Sequence, residues 1–405
     1  MDVHAGPAEL PELKEFLASF QVRFRRPEGQ EALERYTTGL LTELPDKNCD
    51  TIAQAVPGTS EQRLQEFLTN MQWDEEDLNR QRVQKMSAEA TTGDGVLLFD
   101  DTGFPKQGKT SVGVERQYSG TLGKVGNCQI AVTCCYSDSQ ATWPVGVRLY
   151  LPKTWAEDSE RRRQARVPAE VTFQTKPAIA LALLDQGRAW EVPHRCVVAD
   201  ADYGDNPNFL AGLEARQERY VVGVRTDFQV SVGRAASSPV WRADALLQSV
   251  PRWQWRTVRW RRGTKGWLRK KFVAVRCWRV TSEGHRHEGW LIGERVIRGQ
   301  PEERKYFWSN LPPDTPLEEL AGLAHRRHAI EQFHEEAKGE LGWDQYQGRL
   351  WPGFQRQAVT VMLAYSFLVW LELRQRHHAK RQGRPRARFF PSLGSPTPDA
   401  PSGAP

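Results

Sequence analysis

Acidic residues that lie far apart in the chain occupy positions from which they could act together on one substrate. Asp100 and Asp200 follow two short apolar runs, residues 96–99 and 196–199, which are predicted to be buried strands. Open α/β sheets place their chemistry at strand ends, so two aspartates in matching positions are candidates for one site. Asp101 directly follows Asp100, and the residues alone leave open which of the two is the first acid.

The third acidic candidate, Glu331, lies in residues 324–338, a charged segment predicted to be one helix. Each helical residue advances by about 100°, so Arg327, Glu331 and Lys338 fall within about 40° of one another. A carboxylate between two cations on a narrow face could contact a charged substrate. The alternative is an ordinary solvated helix face with i,i+4 ion pairs, which is the commoner meaning of such a pattern.

Three clustered carboxylates would suit hard divalent cations. Like charges raise one another's pKa values unless positive charge intervenes, and Mg²⁺ prefers a few carboxylates with phosphate oxygens and water. Two ions about 3.5–4 Å apart can activate the attacking oxygen and stabilise the leaving oxygen of a phosphodiester. Asp100, Asp200 and Glu331 are therefore predicted to hold two Mg²⁺ ions, which Mn²⁺ could replace, and to catalyse phosphoryl transfer on a nucleic acid.

A basic block between the second and third acids supports a nucleic-acid partner. The chain has a net charge of +6, and residues 245–282 contain eleven Lys or Arg and five Trp but no Asp or Glu. Cations that follow phosphates, interleaved with aromatic faces for bases, are typical of nucleic-acid-binding surfaces. The candidate DNA-binding residues of the block are Arg259, Arg261, Arg262, Lys265, Lys270 and Lys271.

Other chemistries and locations have weaker support. Residues 103–110 fit the phosphate-binding pattern G-x-x-x-x-G-K-[ST], but the glycines of residues 111–126 predict irregular chain instead of the required helix. The six cysteines lack metal-ligand spacing and are expected to be free thiols in a reducing cytosol. Residues 1–10 are polar and acidic, which predicts no signal peptide, and the apolar run 359–373 is too short to span a membrane. We therefore expect a cytoplasmic protein without a membrane partner.

The elements that must position these residues have the order of an α/β fold. A helical N-terminal domain with possible DNA-binding function is followed by three strands, a helix, a strand, a helix and a further strand. This order predicts a ribonuclease-H-like catalytic core interrupted by a β-rich insertion, with strands at 257–260, 271–280, 290–296 and 304–309. The predicted N-terminal domain, two-part core, basic insertion, packing helix and disordered basic tail are residues 1–90, 91–227 with 317–350, 228–316, 351–378 and 379–405.

Several short motifs accompany the acids. They are D-D-T-G-F-P-K-Q-G-K at residues 100–109, R-Q-Y-S-G at 116–120, N-C-Q at 127–129 and A-D-A-D-Y-G at 199–204. In combination they resemble bacterial insertion-sequence transposases of the DDE class. The spacing R-x3-E-x6-K of residues 327–338 fits the YREK signature of the cut-and-paste, hairpin-forming branch. The resemblance covers residues from about 35 to 375 and also accounts for the loop at residues 103–110.

The resemblance implies a Mg²⁺-dependent enzyme that pairs two transposon ends as a homodimer. It assigns the second acidic position to Asp200 and the third to Glu331. It favours Asp100 over Asp101 as the first acid, because family motifs tend to read Asp-x-Ser/Thr and Thr102 then matches.

The same resemblance places Arg327 and Lys338 near the cleaved DNA. In two positions this chain departs from the family. Ala324 stands where the signature tyrosine would lie, which removes a contact to a phosphate or hydroxyl, and Asp202 replaces a usually small residue and adds negative charge near the metal site. The family also implies a tryptophan that stacks on a flipped base, and the candidates here are Trp290 and Trp308.

The leading hypothesis is a DNA transposase that cleaves terminal inverted repeats and joins the freed 3′-hydroxyl ends to target DNA. A domesticated, non-cleaving DNA-binding protein of the same fold is an alternative that Ala324 and Asp202 support. A stand-alone metal-dependent DNA endonuclease would lack strand transfer, and a nucleotide-hydrolysing loop is the weakest alternative. The expected partners are terminal and target DNA and a second copy of the chain, at the nucleoid of a bacterial cytoplasm.

Overall fold

The N-terminal part of the chain is helical, as its periodicity predicts. The structure is a computed structural model that describes residues 10–22, 24, 27–263, 266–297 and 304–381. Side chains of Asn48, Ser60 and Asp74 accept hydrogen bonds from amides of the following turn and so mark where three of the helices begin. The helices are α1 (Pro11–Ala18), α2 (Pro27–Leu41), α3 (Cys49–Ala55), α4 (Glu61–Thr69) and α5 (Glu75–Glu89).

The next part of the chain contains six strands, five of which form an adjacent series. Its elements are β1 (Val96–Pro105), β2 (Glu115–Ser119), β3 (Lys124–Ser137), β4 (Thr142–Leu149), α6 (Lys153–Ala156), α7 (Ser159–Gln164), α8 (Lys176–Ala189), β5 (Cys196–Ala199), α9 (Ala201–Gly204), α10 (Pro207–Ala215) and β6 (Tyr220–Val224). The strands lie in the order β4-β3-β1-β5-β6, antiparallel from β4 to β1 and parallel from β1 to β6. Because parallel neighbours need a crossover, α10 connects β5 to β6.

Two local predictions in this part are wrong. The first strand does not end at Asp100 but continues to Pro105, because β3 pairs with it over that whole length. Residues 111–126 are not irregular throughout, since they contain β2 and the start of β3, in which exposed Tyr118 lies opposite exposed Val125. The element that follows the loop at residues 103–110 is thus a strand, whereas a phosphate-binding loop requires a helix there.

The basic block continues the same sheet. It contains β7 (Gln229–Ser231), β8 (Val240–Arg242), α11 (Ala243–Ser249), a 3-10 turn (Arg252–Gln254), β9 (Arg256–Gly263), β10 (Gly266–Val280), β11 (Arg286–Arg295) and β12 (Arg304–Ser309). The strands expected at 257–260 and 271–280 are present but longer. β12 pairs antiparallel with β6, so the sheet runs β2-β3-β1-β5-β6-β12-β11-β10-β7-β8, with β4 on β3 and β9 on β10.

Three helices follow, and one helical prediction is corrected. They are α12 (Leu317–Ala324), α13 (His328–Gly339) and α14 (Trp351–Arg381). Residues 324–338 are therefore not one helix. At the break the backbone amides of Arg326, Ala329 and Ile330 donate to carbonyl oxygens three residues earlier instead of four. The side chains of the three residues at the break pair with other parts of the chain, His325 with Glu294, Arg326 with Asp94 and Arg327 with Asp100.

The last helix, α14, joins the helical and sheet parts of the chain. It packs against α1, α2, α4, α5 and β4, and one apolar cluster extends from Leu13 to Leu373. All six cysteines are free thiols, as expected. In the parts of the chain that the structure describes, none of the helices has both the length and the apolar character needed to cross a bilayer. The predicted tail lies outside the described residues from position 382 onward.

Candidate active site

The first two acidic candidates lie side by side on parallel strands. Phe99 of β1 is in register with Ala199 of β5, so Asp100 and Asp200 follow at the same level on strands that are about 4.8 Å apart. Asp200 also begins α9, because its Oδ1 accepts from the amides of Asp202 at 3.0 Å and of the next residue at 3.4 Å. Two separate apolar strands thus bring these carboxylates to one place in the sheet.

Glu331 is connected to this pair through Arg327. The Nη1 atom of Arg327 donates to Oδ2 of Asp100 at 2.8 Å, and its Nη2 donates to Oε1 of Glu331. His328 lies 3.4 Å from the other oxygen of Glu331. The guanidinium therefore bridges a carboxylate of β1 and one of α13.

Burial is the largest influence on the pKa values of Asp100 and Asp200. It raises the pKa of Asp100 to about 8, with further contributions from the neighbouring acids, although the Arg327 guanidinium acts in the opposite direction. Burial also raises the pKa of Asp200 against the same guanidinium. For Glu331, the hydrogen bond with His328 and then the charge of Arg327 outweigh burial and lower the pKa. One guanidinium does not neutralise these acids, so the site favours additional positive charge.

The side chains of Asp100, Asp200 and Glu331 do not surround a preformed metal site, and Arg327 lies among them. Among the residues that the structure describes, there is no group of three or more His, Cys, Asp or Glu side chains arranged around a point that an ion could occupy. The position between Asp100 and Glu331 is taken by Arg327. The donor chemistry nevertheless fits a hard cation, since the acids offer only oxygen ligands and the two aspartates are short of positive charge.

Asp101 lies in a different environment from Asp100. Successive residues of a strand point to opposite faces of the sheet, and Asp101 forms an ion pair with Lys176 of α8 at 2.7 Å. The side chains of this pair are 21% and 29% exposed. Of the two adjacent aspartates, Asp100 is therefore the one that contacts Arg327.

A buried hydrogen-bond chain positions α13 against the sheet. The hydroxyl of Thr133 on β3 donates to the carbonyl oxygen of Asp100 at 3.0 Å. Because its only proton is used, it accepts from Nε2–H of His334, which lies 2.8 Å away. Burial, aided by the charge of Lys338, lowers the pKa of His334 to about 3, so this histidine is neutral. The chain connects the helix that carries Glu331 to the strand that carries Asp100.

Lys338, predicted to contact DNA, is held at the far end of α13. Its ammonium donates to the carbonyl oxygen of Gly103 at 2.8 Å and to Oγ1 of Thr121 at 3.1 Å, and it lies 5.2 Å from the ring centre of Phe104. Burial lowers its pKa to about 8. In this arrangement Lys338 fixes the turn between β2 and β3 next to the acidic site.

A basic cavity of about 860 Å³ opens beside the acids. Asp200, Arg327 and Glu331 form part of its wall, and most of its other charged lining residues are cations. These are Arg225, Arg242, Arg261, Arg304 and Lys305, with Asp227 as a further acid. Ala324 also lines the cavity, where a tyrosine would fill part of the space. The charge of Asp202 is paired with Arg225 at 2.7 Å.

The aromatic wall of the cavity comes from one of the five tryptophans of the basic block, which was not among the two stacking candidates. Trp260 of β9 lies parallel to the ring of His325, with 4.0 Å between the ring centres and 12° between the planes. Nε2 of His325 is 2.7 Å from Oε2 of buried Glu294. Two features of the sequence could have indicated these residues. Trp260 lies between two arginines, and His325 lies two residues before Arg327.

The two tryptophans selected from the sequence make contacts with other parts of the protein. Trp308 is fully buried and packs against Phe228. Trp290 donates from Nε1 to the carbonyl oxygen of Pro312 at 3.0 Å, and the Arg276 guanidinium lies 5.3 Å from its ring. Neither of them lines the cavity.

The predicted DNA-binding residues of the basic block lie in several different environments. Arg259 and Arg261 are exposed on β9, and Lys271 is half-buried on β10. Lys270 is paired with Glu294, which is completely buried, so its charge is used inside the protein. Lys265 and the side chain of Arg262 lie outside the described residues.

Comparisons with known proteins identify the family of this chain. Residues 15–267 match the family of DDE superfamily endonucleases, and residues 175–367 match the transposase DDE domain. The first match includes Asp100 and Asp200, and the second includes Asp200 and Glu331. A relative from Microchaete diplosiphon, described as a probable transposase for insertion sequence element IS701, is 25% identical in an alignment of 342 residues that covers 80% of this chain and 78% of the relative.

The first family match extends over more than half of the chain. A second match, to transposase domains, and a relative that is similar over most of this chain support the same family. The chain belongs to the DDE superfamily of endonucleases, as a transposase of the insertion-sequence type.

Proposed function

We propose that this transposase uses Asp100, Asp200 and Glu331 to cleave DNA at the ends of its element and to join the freed ends to target DNA. The observation that carries the proposal is the convergence of these residues. Asp100 and Asp200 are level on adjacent strands, and Arg327 bridges Asp100 to Glu331 although 231 positions separate the first acid from the third. Such convergence suits one reaction centre better than three independent caps or ion pairs.

Divalent ions are the cofactors that this acid set would bind. Mg²⁺, or Mn²⁺ in its place, would be held by the carboxylates of Asp100, Asp200 and Glu331. When bound, a pair of such ions supplies charge stabilisation for the attacking and leaving oxygens of a phosphodiester. The protein itself contributes orientation, because His334 and Thr133 hold α13 and β1 in a constant relation.

The sheet supports a ribonuclease-H-like core. The strand order β4-β3-β1-β5-β6, with an antiparallel and a parallel half, supports this proposal. We propose a division into a helical N-terminal domain (1–90), a core (91–227 and 317–350), an insertion (228–316) and a packing helix (351–378). In this division the insertion supplies one wall of the cavity and the core supplies the acids.

DNA would pass along the cavity and the outer side of β9. Arg225, Arg304 and Lys305 face the cavity, and Arg259 and Arg261 are exposed on the strand beside it. Cations that neutralise phosphates make binding salt-dependent, so affinity should fall steeply between low and physiological salt. Pairing of two DNA ends would need a second copy of the chain.

The test is cleavage of duplex DNA that carries the terminal inverted repeats, with Mg²⁺. Asp100→Asn and Glu331→Gln should abolish cleavage, whereas Asp101→Asn, a matched neighbour, should retain it. If Glu331→Gln cleaves as well as the wild-type protein, the assignment of the acids is wrong. Cleavage without joined products would instead indicate a stand-alone endonuclease, and salt-sensitive binding without cleavage would indicate a DNA-binding protein.

A further inference from the structure

Arg327 is in direct contact with two of the three acidic candidates. Its two terminal nitrogens bind different acids, with Oδ2 of Asp100 at 2.8 Å on one side and Oε1 of Glu331 on the other. The Asp100 side chain is only 13% exposed, and Arg327 and Glu331 are 31% and 44% exposed. The guanidinium therefore lies between a buried acid and a partly open one.

This contact uses the oxygen atoms that a divalent ion would need. A guanidinium donates N–H groups to carboxylate lone pairs, and a hard cation binds the same lone pairs at about 2.0–2.6 Å. A cation on Oδ2 of Asp100 and the guanidinium on the same atom would lie side by side and repel each other. Arg327 and a divalent ion are thus competing partners for Asp100 and Glu331.

The neighbouring arginine is not part of this competition. Arg326 donates to the carbonyl oxygen of Asp138 and pairs with Asp94 at 3.1 Å, away from the three acids. The two adjacent arginines therefore have the same side chain and nearly the same position in the chain but different partners. Arg326 is a matched control for every measurement on Arg327.

We propose that Arg327 is a resident counter-ion that a divalent cation displaces, and that the released guanidinium then binds a DNA phosphate. The inference rests on the proposed function, in that the acids bind the ion. It makes ion binding and DNA binding cooperative at this site, because one event frees the group that the other uses.

Once released, the Arg327 side chain would lie beside other cations that could bind the same DNA backbone. Arg327 lines the cavity together with Arg304 and Lys305, which are candidates for contacts with phosphates. A phosphate offers the guanidinium the same bidentate geometry as the carboxylates do. While Arg327 is bound to the acids its guanidinium is not available to a phosphate; after exchange the cavity presents it to the DNA backbone as a cation.

The first experiment measures binding of Mn²⁺ to the DNA-free protein by isothermal titration calorimetry. Arg327→Gln should bind Mn²⁺ about tenfold more tightly than the wild-type protein, within the usual range for coupling between two linked binding events. Arg327→Lys should be intermediate, since one ammonium cannot bridge both acids as the planar fork does. Arg326→Gln should bind as the wild-type protein does, and circular dichroism verifies that each variant is folded.

Unchanged or weaker Mn²⁺ binding in Arg327→Gln would overturn the inference, because Arg327 would then be irrelevant to the ion or would help to hold it. The same titration separates this failure from failure of the proposed function. Binding that Asp100→Asn abolishes supports the site. If neither the wild-type protein nor Arg327→Gln binds Mn²⁺, both the site and the inference fail.

The second experiment measures affinity for terminal duplex DNA with Ca²⁺ or with EDTA. Ca²⁺ should strengthen binding by the wild-type protein and by Arg326→Gln, because the ion releases Arg327 to the DNA. The gain should be at least about threefold smaller in Arg327→Gln, a difference of about 0.6 kcal/mol. An equal gain in all three proteins would show that the guanidinium is not transferred to DNA.

Discussion

Replacement of buried His334 by glutamine should remove a large part of the acid sensitivity of the fold. His334 is neutral in the folded protein because burial lowers its pKa from 6.5 to about 3. Its Nε2–H donates to Thr133 at 2.8 Å, and the amide of a glutamine can make the same hydrogen bond without titrating. The variant therefore preserves the contact and removes only the proton equilibrium.

The sign and size of the effect follow from proton linkage. The histidine of the unfolded chain takes up a proton below pH 6.5, whereas that of the folded protein does not until about pH 3. The stability due to neutral His334 is thus present above pH 6.5 and is lost as the pH falls towards 3. At about 1.4 kcal/mol per pH unit, this group alone should reduce the free energy of unfolding by about 2 kcal/mol between pH 7 and pH 5.

The assay is urea unfolding at pH 7, 6 and 5, and the quantity compared is the difference in unfolding free energy between the wild-type protein and His334→Gln. That difference should shift by about 2 kcal/mol in favour of the variant at pH 5. Thr133→Val is the control, since it keeps the buried histidine and its pH dependence but leaves a buried donor unpaired, at a cost of about 1–3 kcal/mol at every pH. A difference that does not change with pH would refute the neutral, buried state of His334.

Other consequences concern the neighbouring acid, the cavity and the core. Lys176→Met removes the partner of Asp101, and we expect a stability loss of about 1 kcal/mol by thermal melting with terminal-DNA cleavage retained; abolished cleavage would place this pair in the reaction. Trp260→Ala should weaken terminal-DNA binding by about 1–3 kcal/mol in electrophoretic mobility shifts, whereas Trp253→Ala, exposed and outside the cavity, should change it less. Arg82→Met leaves several buried hydrogen-bond acceptors without a donor and should cost about 3 kcal/mol or more in urea unfolding, and a cost below about 1 kcal/mol would contradict this.

The residue pattern was sufficient to propose the three acids. Asp100 and Asp200 follow runs of apolar residues that must be buried, and a buried strand leaves few places for a carboxylate except near a site that needs one. The spacing of Arg327, Glu331 and Lys338 identified the third element before its neighbours were known. Family, enzyme class and DNA as substrate followed from these residues with the motifs around them, and the matches to known families agree.

Several secondary-structure elements were predicted inaccurately. The short-range residue pattern predicted the helical N-terminal part and most strands. It wrongly predicted that β1 ends at Asp100, and it did not predict β2. Pairing with β3 decides both cases, because a partner strand can extend or create a strand whose own residues signal it weakly. The break between α12 and α13 was also not predicted, and the three side chains at the break pair with residues far away in the sequence.

The tertiary structure alone decided which groups meet at the site. Strand alternation separates Asp100 from Asp101, but only packing shows that α13 covers the face of Asp100 and that Lys176 covers Asp101. The same applies to Trp260, one of fifteen tryptophans, which lines the cavity because β12 joins the block to β6. Sequence by itself determined which residues can do chemistry, since that depends on their type and on local burial. Their partners were decided by the fold, because contacts between residues far apart in the chain arise only when the whole sheet and its helices pack together.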